Sequence, residues 1–200
     1  MTTLPEFFQR RSDSHGAIIL VSGERRIGKT TLLLKVREAA QHAGRSVGGF
    51  LSVARFVDGH KTGIDLMNAA TGETVALAEY REDTAGAKTP ATKHYVFNPD
   101  ALAYGLRYAE SGQAADVFFV DELGPLELER GEGWADVIDM VRARVFGVGF
   151  VVVRPELIDV ACARLDLPPG APQITVNADS RDRLAGELAA WIKARPESGS

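Results

Sequence analysis

The 200-residue sequence has a single cysteine, Cys162. That excludes an internal disulfide and most cysteine-based metal centres. Flanked by Val160, Ala161 and Ala163, Cys162 reads as a buried helix residue with no chemistry of its own. Positive charge is not in excess: 23 Lys and Arg against 27 Asp and Glu leave a net charge of −4. A general nucleic-acid binder would carry a basic footprint instead. No apolar run reaches the ~20 residues of a membrane span. The opening residues, MTTLPEFFQRRSDSHG, hold no apolar core of signal-peptide length. These absences predict a cytoplasmic chain with no membrane and no nucleic acid among its partners. His15, His42, His60 and His94 show no metal-ligand spacing. Internal repeats, low-complexity tracts and a nucleophile elbow are also missing.

What is present is ordinary globular composition, with 45% hydrophobic and 25% charged residues, enough for a sizeable core in one α/β domain. We expect an N-terminal extension over 1–15, a single domain over 16–195 and a tail over 196–200. In the extension, Leu4, Phe7 and Phe8 are candidates to dock on the domain surface.

The domain is organised around residues 17–37, AIILVSGERRIGKTTLLLKVR. Ala17 to Val21 is an apolar run that reads as a buried strand. Gly23-Glu24-Arg25-Arg26-Ile27-Gly28-Lys29-Thr30 matches G-x-x-x-x-G-K-[ST] in full. Leu32, Leu33, Val36 and Ala40 then follow at helical spacing. Strand, glycine loop and helix together specify a P-loop. Gly23 and Gly28 let the backbone close around an anion where a Cβ would clash. The loop amides form a nest, and the helix adds its free N–H groups and positive dipole end. In such a loop Lys29 reaches the β- and γ-phosphates and the Thr30 hydroxyl is a ligand for Mg²⁺.

His42-Ala43-Gly44-Arg45 stops the helix. Val47–Val57, Gly63–Met67 and Thr74–Ala78 then read as strands separated by the turn pairs Asp58-Gly59 and Thr71-Gly72. This predicts an antiparallel meander, about 47–97, inserted into the parallel fold. Residues 81–92 read as a polar surface loop and His94–Phe97 as a further strand. Asn98 and Pro99 are the N-cap and first residue of a helix ending near Gly112.

Val117-Phe118-Phe119-Val120-Asp121-Glu122 reads as a Walker B strand. Its aspartate would hold Mg²⁺, and Glu122 would orient or deprotonate a water attacking the γ-phosphate. Trp134, Val137, Ile138, Val141 and Val145 predict a helix over 134–146, followed by a buried strand to Val153. Arg154 ends that strand on the side where parallel sheets bind ligands. It is a candidate γ-phosphate sensor or cis arginine finger, or else an ion-pair partner of a neighbouring acid. Pro155–Leu165 is predicted helical, 173–177 a last strand, and 179–195 a last helix with Asn177 as its cap.

The order of these pieces carries a resemblance. GERRIGKTTLLLKV, the meander GGFLSVARFVDGHKTGIDLMNAATGETVALA, KHYVFNPDAL, VFFVDELGPLEL and ITVNADSRDRL together resemble the thermophile-type, or cancer-related, nucleoside-triphosphatase family. The likeness covers Ala17 to Trp191, and the meander with DELGPLEL is its specific part. It implies a RecA-like P-loop domain of three αβα layers that hydrolyses several nucleoside triphosphates with Mg²⁺. By matching positions it implies nucleotide contacts from Gly23 through Thr31, Asp121 as the Mg²⁺ ligand and Glu122 as the water-activating residue. The sequence departs from the family at Glu24-Arg25-Arg26-Ile27, which is unusually charged, at Lys61-Thr62-Gly63-Ile64, which lacks an arginine–phenylalanine pair, and in the long N-terminal extension.

Three functions are compatible with these residues. The first is a triphosphatase using Lys29, Glu122 and Arg154, with Mg²⁺ on Thr30 and Asp121. The second is a P-loop kinase acting on a small acceptor, against which Glu122 beside Asp121 argues. The third is a nucleotide switch timed by a partner, which no motif supports. A guanine-reading Asn/Thr-Lys-x-Asp segment is absent, since Val176-Asn177-Ala178-Asp179 lacks the lysine. That favours broad base acceptance. The helix faces can all be buried within one domain, so a monomer is expected.

Overall fold

The computed structural model describes residues 16–82, 91–92, 94–168 and 170–195. The predicted N-terminal extension, residues 83–90 of the polar loop and the predicted tail lie outside the described residues. Strand β1 is Ala17–Ser22, buried along its whole length. Such a two-sided apolar run belongs at the centre of a parallel sheet. Helix α1, Lys29–His42, buries Leu32, Leu33, Val36 and Ala40, the face predicted from their spacing. Gly44, with φ 73°, follows its end as a left-handed stop.

Strands β2 (Val47–Val57), β3 (His60–Asn68) and β4 (Thr74–Tyr80) form the meander. The β2–β3 turn is the expected Asp58-Gly59 pair, both at positive φ (49° and 77°), as a tight primed turn requires. Short strands β5 (Ala91–Thr92) and β6 (Tyr95–Phe97) extend the antiparallel edge. Helix α2 is Pro99–Gly112, and the Asn98 side chain accepts the Asp100 amide at 3.0 Å as its cap.

The expected antiparallel meander joins the parallel strands through β2, which pairs with both. Its first half, Val47–Phe50, pairs in parallel with β7 (Val117–Leu123), and its second half pairs antiparallel with β3. The outcome is one nine-stranded sheet, β5-β6-β4-β3-β2-β7-β8-β1-β9, in which β8 is Val148–Val153 and β9 is Gln173–Thr175. The five strands from β2 to β9 are parallel neighbours.

One expectation is corrected, over residues 124–147. After β7 the chain makes a single π-helical turn, Leu126–Arg130, and helix α3 runs only from Val137 to Ala143. Trp134 fits the helical spacing but serves as a plug: its Nε1 donates to the Leu102 carbonyl at 2.9 Å and its ring packs 4.3 Å from Phe50. Arg144 turns left-handed, at φ 52°, and ends the helix. Phe146 stacks on Phe118 at 5.3 Å, and β8 starts two residues later than the apolar run suggests. Pro155–Leu157 is a 3-10 turn ahead of helix α4, Ile158–Arg164. Cys162 on α4 is half-buried, and burial raises its thiol pKa. Helix α5 is Arg181–Ala194.

Two apolar clusters fill the spaces on either side of the sheet. Ala17, Ile19 and Val21 face α1 and α5, packing with Leu33, Val36, Leu184 and Leu188. Ile18 and Leu20 face the other layer with Leu102, Val137, Val141 and Ala161. The three layers are those expected. Among the described residues no helix is long and apolar enough to cross a membrane.

Candidate nucleotide site

The glycine loop connects β1 to α1 at the carboxyl edge of the sheet. Gly23 and Gly28 have φ of 146° and 101°, and Arg26 lies at 63°. An added Cβ on Gly23 would sit 2.4 Å from the Val176 carbonyl oxygen, so only glycine lets β9's exit strand pass so close. Lys29, 8% exposed, folds back into the loop and donates from Nζ to the carbonyls of Gly23 (2.7 Å) and Glu24 (3.0 Å). Ile27 packs on the α1–α5 side of the core. Glu24, Arg25, Arg26 and Thr31 are exposed.

Thr30 and Asp121, 91 residues apart, meet as the sequence predicts: Thr30 Oγ1 donates to Asp121 Oδ2 at 2.7 Å. Asp121 is 2% exposed. Burial pushes its pKa up to about 7, against the opposing hydrogen bonds from Thr30 and the Ser52 amide. The nearby Glu122 charge adds to the rise. A carboxylate this short of solvation is poised to take a cation. Thr30 and Asp121 fit a hard divalent ion that keeps waters and phosphate oxygens in its shell. No cluster of three or more His, Cys, Asp or Glu suited to a metal occurs among the described residues.

Glu122 follows at the end of β7 and Arg154 at the end of β8, the adjacent strand. Arg154 Nε donates to Glu122 Oε1 at 2.6 Å, with side chains 25% and 29% exposed respectively. Of the roles open to Arg154, the structure displays the ion pair. Behind them Glu127 is buried and accepts the amides of Gly124 (2.8 Å) and Trp134 (3.3 Å). Burial raises its pKa against those bonds. It ties both ends of the π-turn segment that follows Glu122.

The last helix starts at Arg181 with Ser180, not the expected Asn177, at its N-cap, and Asn177 closes the turn just before it. Its Oδ1 accepts the Ser180 amide at 2.8 Å, and its own amide donates to Ser180 Oγ at 3.1 Å. The reciprocal pair is a capping box in form.

Sequence reasoning passed over three residues at this site. Ser52 on β2 donates through Oγ to the Asp121 carbonyl and through its amide to Oδ2 at 3.4 Å. The signal was a lone serine within an apolar strand. Glu127 was legible only as part of DELGPLEL. Arg181, at the start of α5, lies against Gly28, where an added Cβ would meet its Cδ at 2.6 Å.

Comparison with known proteins agrees with this geometry. A family model described as NTPase matches residues 18–189. The nucleoside-triphosphatase THEP1 of Methanopyrus kandleri is 26% identical over 181 residues, covering 88% of this chain and 98% of the relative. THEP1 of Methanosarcina barkeri is 27% identical, covering 86% and 94%. Among solved structures, a human cancer-related nucleoside triphosphatase aligns with TM-score 0.67 at 20% identity, over 90% of this chain and all of that one. THEP1 from Aquifex aeolicus aligns with TM-score 0.58 at 19% identity, over 88% and 98%. These two likenesses concern the fold. With the family match running from β1 into α5 and enclosing the glycine loop, Asp121, Glu122 and Arg154, the chain belongs to the NTPase family, the thermophile-type nucleoside-triphosphatases that its sequence resembles.

Proposed function

We propose that the protein hydrolyses nucleoside triphosphates, ATP and GTP among others, to the diphosphate and inorganic phosphate, with Mg²⁺ as the cation. The observation that carries the reading is the Thr30–Asp121 contact at 2.7 Å beside a buried Lys29, with Glu122 next in the chain. Gly23 through Thr31 wrap the phosphates. Lys29 exchanges its two loop carbonyls for β- and γ-phosphate oxygens, so the lysine itself needs no new desolvation when nucleotide arrives. Thr30 and Asp121 hold the cation, which when bound offsets charge on the phosphates. Glu122 orients the attacking water and takes its proton. Arg154 fixes the Glu122 carboxylate, and its charge reaches the γ-phosphate only if that pair opens. Catalysis of this kind is positioning and electrostatics more than covalent chemistry.

The test is phosphate release from ATP, GTP, CTP, UTP and ITP, with and without Mg²⁺, alongside Lys29→Ala and Glu122→Gln. Release from several triphosphates, dependent on Mg²⁺ and lost in both variants, is the expected result. Wild-type protein that binds triphosphate, releases no phosphate and makes diphosphate only when a small acceptor is added is a kinase, and the reading falls.

A further inference from the structure

The arginine on Gly28 has no part in the chemistry described so far. An added Cβ at Gly28 would lie 2.6 Å from Arg181 Cδ, 3.0 Å from Nη1 and 3.5 Å from Nε. The side chain is therefore laid along the backbone of the residue that precedes Lys29. Its own backbone is held there. The Val176 amide donates to the Ser22 carbonyl at 2.7 Å, the Asn177–Ser180 pair closes the turn, and the Arg181 amide donates to the Asn177 carbonyl at 3.1 Å. The guanidinium is weakly engaged: its Nε stands 3.5 Å from Asp182 Oδ1, while the same oxygen takes Lys35 Nζ at 2.8 Å. A cation laid beside Lys29 and the positive end of α1 is repelled by both, and an anion in the loop reverses that balance.

We propose that Arg181 is a nucleotide-binding residue that recognises the α,β-diphosphate shared by substrate and product. Strand order decides which phosphates it serves. β8 and β7, bearing Arg154 and Glu122, lie on one side of β1, and β9, leading to Arg181, lies on the other. The γ-phosphate chemistry gathers on the first side. Gly28 opens the helix whose first amides cradle the α- and β-phosphates, and Arg181 flanks that end. A contact to groups that do not change in the reaction strengthens substrate and product alike. Its loss therefore raises KM and the diphosphate Kd together, with kcat moving far less.

The inference rests on the triphosphatase reading, and the experiment separates the two. Binding of ADP, GDP and CDP is measured by calorimetry for wild type, Arg181→Met, Arg181→Lys and Arg181→Ala, each with its melting curve, and phosphate release from the triphosphates is measured in parallel. A charge-assisted phosphate contact predicts a loss of about 10- to 100-fold in Arg181→Met. The loss is equal for the three bases, shrinks as salt rises, and is partly restored in Arg181→Lys. Full affinity in Arg181→Met with loss only in Arg181→Ala makes the side chain packing for Gly28, and overturns the proposal. A loss that depends on the base makes Arg181 a stacking residue and overturns it too. Wild type that binds diphosphates but hydrolyses nothing leaves Arg181 in place and removes the triphosphatase reading. Wild type that binds no nucleotide removes both.

Discussion

Asp121→Asn is expected to stabilise the nucleotide-free protein, by an amount that grows with pH. Burial pushes the wild-type carboxyl up to about 7 in the fold, against 3.8 for the ordinary group. A folded pKa above the unfolded one means the folded state holds the extra proton between those values. The contribution is fully present below about pH 3.8, declines as pH rises, and is gone above about pH 7. With those two constants the ionisation penalty is about 2 kcal/mol at pH 5 and about 4 kcal/mol at pH 8, at about 1.4 kcal/mol per unit. Asparagine occupies the same volume, keeps an acceptor for Thr30 and never ionises. The stability gap between variant and wild type should therefore widen by about 2–3 kcal/mol from pH 5 to pH 8. At 2–4 °C per kcal/mol for a chain of this size, that is about 5–10 °C in Tm. The assay is thermal unfolding of both proteins across that range without divalent cation, read as a difference so that every other titration cancels. Parallel melting curves from pH 5 to 8, or a wild type that gains on the variant as pH rises, would refute the argument from burial. Adding Mg²⁺ with diphosphate should reverse the order at pH 8, because wild type gains binding energy the variant cannot.

Three further outcomes follow from contacts at the site. Glu127→Ala leaves the Gly124 and Trp134 amides buried without their acceptor; it should cost about 3 kcal/mol, a drop of about 6–12 °C in Tm, and an unchanged melting curve would deny Glu127 its role as a tie. Arg154→Met frees the Glu122 carboxylate and should lower kcat at least tenfold while KM changes little; steady-state kinetics check it, and an unchanged kcat removes Arg154 from the chemistry. Gly28→Ala places a methyl 2.6 Å from Arg181 Cδ at a φ of 101°. Strain of about 1–3 kcal/mol and at least tenfold weaker diphosphate binding should follow, measured by melting and by calorimetry; wild-type affinity would mean that the loop opens at no cost.

The parts of this site that were legible are those whose cause is local. Ala17–Val21, the spacing of Gly23 and Gly28, and the α1 face are each fixed by residues within one or two turns of chain. Asp58-Gly59 and Asn98-Pro99 were equally readable, since turn and cap chemistry act over two to four residues. Thr30 and Asp121 could be paired because two motifs bring known geometry with them. What escaped is non-local. No pattern within β2 announces that its first half pairs with β7 and its second half with β3. Trp134 lies on the same apolar period as Val137 and Val141, yet its indole reaches Leu102 and Phe50, which periodicity cannot see. Val145 fits that period too and is exposed. Arg181 sits in an unremarkable polar helix start, and only the pairing of β9 with β1 carries it to the glycine loop.

The position of β1 also fixes when the site can exist. The glycine loop leaves the ribosome well before β8 and β9, the two neighbours of its strand. Ala17 pairs with Val148 and Ser22 with Thr175. A ribosome releasing residues 16–112 has made α1, the meander and α2, but neither neighbour that holds β1 in place. Until β8 and β9 emerge, β1 is an apolar ribbon with two unpaired edges, the kind of segment that invites wrong pairing. Closing such long loops is entropically slow. Nucleotide-binding competence should therefore appear in one late step, after β9 emerges, and nascent chains stopped short of residue 175 should bind no nucleotide although the whole glycine loop is already built.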